Sequence, residues 1–246
     1  MSAALYHIRA YALTMEYDEV VTSRRSVHQY ADEDLPTEVI ESIFERVRHA
    51  PSSYNLQPWE FLVLTDDEKR QQLREVAYDQ EHVTEAPVAV VVLGNKDPSA
   101  HADAVLDDWL AKGYLPNEDA RDAVLGNIEG MADLPEAERR VWTVRSTTIA
   151  ATELMNAAWE EGVASCPMGG FDPEGVLDTF DIDGDQYEPV MLVTLGYPDD
   201  EAADVENERK YRRPVDEIVH YDEFDPVEST ELPAEIADAV PTPSDD

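Results

Sequence analysis

The residues best suited to chemistry are the few cations that this chain keeps. Against 55 Asp and Glu there are 18 Lys and Arg, and six of those 18 sit in two short clusters, Arg24-Arg25 and Arg209-Lys210-Tyr211-Arg212-Arg213. Guanidinium groups present paired N–H donors that match phosphate oxygens, and a hydroxyl such as that of Ser26 adds one more donor. Both clusters therefore have the chemistry of an anion site. An arginine in so acidic a protein can equally serve as an internal salt-bridge partner, and charge logic alone leaves the two readings level.

Two further stretches concentrate backbone and side-chain donors. Ala50-Pro51-Ser52-Ser53-Tyr54-Asn55-Leu56-Gln57-Pro58-Trp59 places hydroxyls and amides between two prolines, the pattern of a rigid loop that presents polar groups in fixed order. Ser165-Cys166-Pro167-Met168-Gly169-Gly170-Phe171 pairs two glycines, which let the backbone approach a flat ligand and leave N–H groups free to donate. Taken singly, each also describes an ordinary loop. Cys166 is the one cysteine, so the chain forms no internal disulfide and no Cys-rich metal site, and a lone Cys in a packed loop is usually inert. His49 and His101 have no partner at metal-ligand spacing, and no metal is expected. Trp59, Trp109, Trp142 and Trp159 read as core and interface. No GxGxxG motif follows a strand, so no resident Rossmann nicotinamide site is expected.

The elements that must position these residues alternate along the chain. Apolar residues at helical spacing predict a helix over 36–49, with Pro51 as its stop, and helices over 66–78 and 101–112. Trp59–Leu64, Pro87–Leu93 and Val190–Leu195 read as strands, the last two buried. The longest predicted helix opens at Pro135 and runs to about Glu161, with Ile149, Leu154, Met155 and Ala158 on its apolar face. Residues 113–135 carry Gly, Pro and Asn breaks and read as an excursion, and Trp109 with the whole 101–135 stretch could cover a site. Few strands, long helices and no βαβ rhythm predict an α+β domain built on one sheet.

Composition limits the partners. A net charge of −37 makes a compact state repel itself unless solvent screens it, and the Debye length falls to about 3 Å at molar salt. Acidic residues occur in every segment, so the surface reads as adapted to high salt, in the manner of haloarchaeal proteins. A basic face for phosphate backbones is missing, which argues against nucleic acid. The sequence has no apolar run of bilayer-spanning length and no signal-like N-terminus, so the expected protein is soluble and cytoplasmic. Residues 1–14 are expected to be an N-terminal arm or to precede the true start at Met15. Residues 15–224 are expected to form one domain and 225–246 a solvated acidic tail.

Together, Arg24–Tyr30 (RRSVHQY), Ala50–Trp59 (APSSYNLQPW), Pro167–Phe171 (PMGGF) and Lys210–Pro214 (KYRRP) resemble, in order and spacing, the FMN-dependent nitroreductase family. The resemblance covers roughly residues 17–220. It implies a three-layer α+β fold with a mixed, mainly antiparallel sheet between helices, and an intertwined homodimer with two FMN sites built by both chains. It further implies that Arg24, Ser26, Lys210 and Arg212 hold the phosphate or ribityl chain of FMN, with Arg25 beside them. Pro51, Ser52, Ser53, Asn55 and Gln57 match the loop that reaches the flavin, the middle three from the partner chain. Pro167, Met168, Gly169 and Gly170 match the segment along the flavin ring, with the Gly169 N–H facing N5. No side chain is expected to act as acid or base.

The implied activity is NAD(P)H oxidation by ping-pong hydride transfer to a nitroaromatic, quinone or flavin-like acceptor. The resemblance extends also to dehalogenases, flavin-fragmenting enzymes and azoline oxidases, and a flavin-binding protein without turnover is the reading from outside enzymology. The sequence departs from the family at His28, where Arg or Lys is usual near N1 and O2 of the flavin, and at Gly169, where several relatives carry an acid. Histidine supplies the charge at the first position only when protonated.

Overall fold

A computed structural model describes residues 15–199 and 209–228. The expected arm at 1–14 lies outside the described residues, as does most of the expected tail. The chain divides into two units between Asn207 and Glu208, each described below by itself.

The first unit is organised around four strands, β1 (Trp59–Leu64), β2 (Val88–Asn95), β3 (Ala164–Met168) and β4 (Tyr187–Gly196). Their order across the sheet is β1-β2-β4-β3, and every ladder between them is antiparallel. A single parallel bridge, between Ser26 and Ser165, extends the sheet beyond β3. The eight residues of β2 are all buried, which is what its unbroken apolar run requires of a central strand with both faces covered.

Alternation along β2 sends side chains to two cores. Val88, Val90 and Val92 meet α2 (Thr37–Val47) and α7 (Glu136–Glu160), through Ile43, Val47, Ala150, Ala151 and Leu154. Ala89, Val91 and Leu93 face Leu73 and Ala77, on and just past α3 (Asp67–Val76), Val83 of α4 (His82–Glu85), and Val176 of α8 (Pro173–Thr179). The result is helix, sheet and helix in three layers, the expected α+β architecture.

The long helix α7 approaches β2 closely at Gly94. A Cβ there would lie 2.6 Å from Thr143 Oγ1, so only glycine fits. Lys96, just past β2, is 2% exposed and donates to Glu136 Oε1 and to the Gly184 carbonyl, both at 2.7 Å. That hydrogen bond and the ammonium charge hold the Glu136 carboxyl below its ordinary pKa. At the other end of α7, burial raises the Glu161 carboxyl, but Arg46 and Ser42 together outweigh it and the net shift is downward.

Three expectations need correction. The 113–135 excursion contains a regular helix, α6 (Glu118–Ala132), packed against α5 (Ala102–Ala111). Asn117 starts it by accepting from Ala120 N at 2.9 Å, and Gly126 and Gly130 face open space, where they cost helix propensity but break nothing. Ile149 of α7 is 41% exposed and so lies off the buried face. The strand β3 was hidden by Ser165, Cys166 and Pro167. An edge strand tolerates that proline because one side of it forms no ladder.

Candidate functional site

The segment that follows α1 (Tyr17–Ser23) runs along the outer edge of β3. Val27 N–H donates to the Ser165 carbonyl at 3.1 Å, and the Tyr30 hydroxyl anchors the segment by bonding the Val27 carbonyl at 2.8 Å and Thr194 Oγ1 at 2.7 Å. Arg24, Arg25, Ser26 and His28 are thereby held half-buried on this edge. The Arg25 guanidinium lies 5.4 Å from the Trp159 ring centroid and donates to the Ser23 carbonyl at 3.4 Å, so part of its charge is engaged within the chain. Trp159 is itself fixed by its indole N–H to Ser23 Oγ at 2.7 Å. The His28 ring meets His82 edge to face, centroids 5.1 Å apart.

The same edge ends in the diglycine turn. Pro167 is half-buried, Met168 is buried, and Gly169 and Gly170 are exposed. A Cβ built on Gly169 would meet nothing within 4 Å, so the packing of this chain does not explain that glycine. The turn is braced by the link between α3 and α4. Gln80 Nε2 donates to the Gly170 carbonyl at 2.6 Å and to the Ala77 carbonyl at 2.8 Å, and Asp172 N–H donates to the Val76 carbonyl at 2.8 Å. Tyr78 stands 70% exposed beside Gly170.

The loop from Pro51 to Gln57 lies elsewhere. It leads into β1, at the opposite edge of the sheet from β3, so three strand spacings, roughly 14 Å, separate the two edges. Within one chain this loop does not join the Arg24–His28 and Pro167–Gly170 cluster. Tyr54, Asn55 and Gln57 adopt φ of 52°, 58° and 47°, a left-handed run without glycine that costs energy and marks functional loops. It persists because it is anchored. Gln57 N–H donates to Ser52 Oγ at 2.9 Å, Asn55 N–H to the Ser52 carbonyl at 3.0 Å, and Leu56 is 1% exposed in a cluster with Ala102, Leu106 and Ile128. Pro51, Ser53 and Asn55 are exposed. A cleft of about 490 Å³ opens beside the loop, lined by Asn55, Gln57, Trp59, His101, Val105 and Asp108.

Lys210 and Arg212 belong to the second unit and are exposed in it. Arg212 bonds the Lys210 and Tyr211 carbonyls, each at 3.0 Å. Arg213 pairs with Glu217, at 3.2 Å to the carboxylate and 2.7 Å to the carbonyl. The salt-bridge reading thus accounts for Arg213, while Lys210 and Arg212 keep their charges at the surface.

Sequence reasoning passed over Gln80, Tyr78 and His82. Tyr78 and Asp79 adopt φ of 53° and 57° with no glycine to announce the turn, and Gln80 finds its partner 90 residues away. Among the described residues no cluster of His, Cys, Asp or Glu is arranged to hold a metal ion, and no helix is long and apolar enough to cross a membrane.

The three-layer α+β domain thus brings half-buried arginines and an open diglycine turn to one sheet edge. The sequence profile described as the Nitroreductase family matches residues 21–197, and the chain belongs to that family. MhqN of Bacillus subtilis (strain 168), provisionally named an NAD(P)H nitroreductase, is 30% identical over 207 residues, covering 84% of this chain and 98% of the relative. A protein of Thermus thermophilus named NADH dehydrogenase is 32% identical over 198 residues, covering 80% and 91%. The crystal structure of a provisionally assigned nitroreductase from Exiguobacterium sibiricum in complex with FMN superposes with a TM-score of 0.74 at 27% identity, covering 84% of this chain and 97% of that one.

Proposed function

We propose that this chain is an FMN-dependent NAD(P)H oxidoreductase of a salt-adapted cytoplasm, acting as a homodimer on nitroaromatic, quinone or flavin-like acceptors. FMN, when bound, supplies a two-electron carrier that takes hydride from NADH or NADPH and passes it to the acceptor in a ping-pong cycle. The observation that carries this reading is the convergence of two motifs far apart in sequence, Arg24–His28 and Pro167–Gly170, on one sheet edge.

The donor set fits the cofactor. Arg24 and Ser26, with Lys210 and Arg212, would hold the phosphate and ribityl chain, and Arg25 would add positive potential beside them. Pro167, Met168, Gly169 and Gly170 would lie along the ring, where the open space at Gly169 admits a flat group and its N–H would face N5. His28 would stand near N1 and O2. The protein's part is to bind, orient and set the electrostatics.

From the loop of Pro51, Ser52, Ser53, Asn55 and Gln57, the middle three would complete the site from the partner, since within one chain the loop sits at the far edge of the sheet. The distribution of acid supports a dimer. With 55 acids in 246 residues, one falls every four or five positions, yet residues 20–31, 46–59, 139–152 and 162–171 contain none. The 139–152 stretch lies on α7 and leaves Val141 46% and Ile149 41% exposed, beside Thr148 and Thr152. Exposed apolar residues in an acid-free stretch of so acidic a chain fit a surface that a second chain covers.

Subunit mixing tests the shared site. Arg24→Ala and Asn55→Ala chains, each expected to lose NAD(P)H-dependent quinone reduction as homodimers, should regain activity after co-refolding in high salt, because one mixed site carries neither change. Absence of recovery, in dimers shown to be mixed, would place both residues in one chain's site and refute the shared arrangement.

A further inference from the structure

The geometry points to Gln80 as the positioning residue of the Gly169–Gly170 turn, an assignment that rests on the proposed flavin reading of that turn. Two consecutive glycines form the most easily rotated backbone in the chain, and here they are exposed and touch almost nothing. Something must fix the direction of the Gly169 N–H. On the upstream side Met168 is held by its register with Leu192 in the β3–β4 ladder. On the downstream side the chain is tied at Asp172, whose N–H bonds the Val76 carbonyl. The glycines themselves are held by Gln80, whose amide nitrogen donates to the Gly170 carbonyl at 2.6 Å.

The amide's orientation follows from chemistry, because both of its near partners are carbonyl oxygens and only the NH₂ end can serve them. Its second hydrogen goes to the Ala77 carbonyl at 2.8 Å, which ties the turn to the end of α3. The loop that carries Gln80 is itself over-determined. Tyr78 and Asp79 sit in the left-handed region, Asp79 N–H donates to the Arg74 carbonyl at 3.1 Å, and Arg74 Nε bonds Asp79 Oδ1 at 2.7 Å. The left-handed residues carry a conformational cost, and these bonds fix the loop that presents Gln80. What it holds is the diglycine turn. Gln80 touches neither substrate nor cofactor in this account; it acts through the glycines.

The test uses Gln80→Glu, which keeps the shape but replaces the donor with a carboxylate that repels the Gly170 oxygen, and Gln80→Ala as a second, milder variant. Selective ¹⁵N-glycine labelling of the full chain in high salt gives ten backbone amide signals, Gly169 and Gly170 among them. Without added FMN, both variants should shift and mobilise the Gly169 and Gly170 signals while most other glycines stay unmoved. With FMN, flavin bleaching by NAD(P)H should slow by on the order of tenfold to a hundredfold and the visible bands should change shape, while FMN affinity changes far less.

Glycine signals that do not move in either variant overturn the assignment, whatever the cofactor does. Mobile glycines with unchanged bleaching and spectrum also overturn it, leaving Gln80 a structural residue only. Mobile glycines in a protein that never takes up FMN would retain the clamp but refute the flavin reading on which its purpose rests.

Discussion

Among the described residues, two loops hold more than one non-glycine residue in the left-handed region, and they announce themselves in opposite ways. The Pro51–Gln57 loop does so with Tyr54, Asn55 and Gln57, the Ala77–Gln80 loop with Tyr78 and Asp79. The first is bracketed by prolines and crowded with hydroxyls and amides, so its composition marks it. The second reads as the end of a helix. Their anchoring also differs. The first is pinned chiefly by an apolar side chain, Leu56, driven into the α5–α6 cluster, with local bonds around Ser52, and it leaves Ser53 and Asn55 exposed. The second is pinned by polar bonds, Arg74 to Asp79 and Gln80 to Gly170, and it spends them inside its own chain. The first loop leaves Ser53 and Asn55 exposed, while the second spends its polar bonds within the chain.

The largest expected effect is at the apolar anchor. Leu56→Ala should cost about 2–5 kcal/mol in denaturant unfolding at high salt, because it opens a cavity among Ala102, Leu106 and Ile128. A loss below 1 kcal/mol would show that the loop is held by its polar bonds instead, and would erase the contrast. A smaller effect separates strain from contact. Tyr54→Gly and Tyr78→Gly remove the left-handed penalty at φ of 52° and 53° but add chain entropy, so each should stay within about 1 kcal/mol of wild type. Turnover with NAD(P)H should nonetheless fall in both. Unchanged turnover would mean that the strain serves no function in that loop.

The smallest effect is a control away from both loops. The Glu136 carboxyl, held down by Lys96, contributes stability at pH above its ordinary 4.5 and loses it as pH falls through the depressed value. Thermal melts in high salt should therefore decline modestly below about pH 4.5, and Lys96→Met should remove that part of the decline. An unchanged acid slope in Lys96→Met would assign it to other carboxylates.

Much of the fold was legible because burial leaves a periodic trace. Trp59–Leu64 falls on β1 as expected, and the helix read from Pro135 to about Glu161 is α7, Glu136–Glu160. The α6 helix was not legible, since its glycines and Asn117 look like breaks when the capping role of Asn117 is unseen. β3 was not, since its Ser, Cys and Pro suit an edge and not a core. The candidate site was legible where residue types carry it: two arginines in an acidic chain, two glycines in a row, amides between prolines. The bracing residues were not. Gln80 is an ordinary surface glutamine until the fold brings Gly170 to it, and His82 is one more histidine until His28 lies against it.

The proposed activity is tested most directly by the visible absorption spectrum of the purified protein, kept in high salt and incubated with FMN, before and after anaerobic NADH or NADPH. A bound flavin band that bleaches rapidly with either nucleotide is the predicted result. A protein that takes up no FMN, or a bound flavin that neither nucleotide bleaches, would contradict the proposed activity.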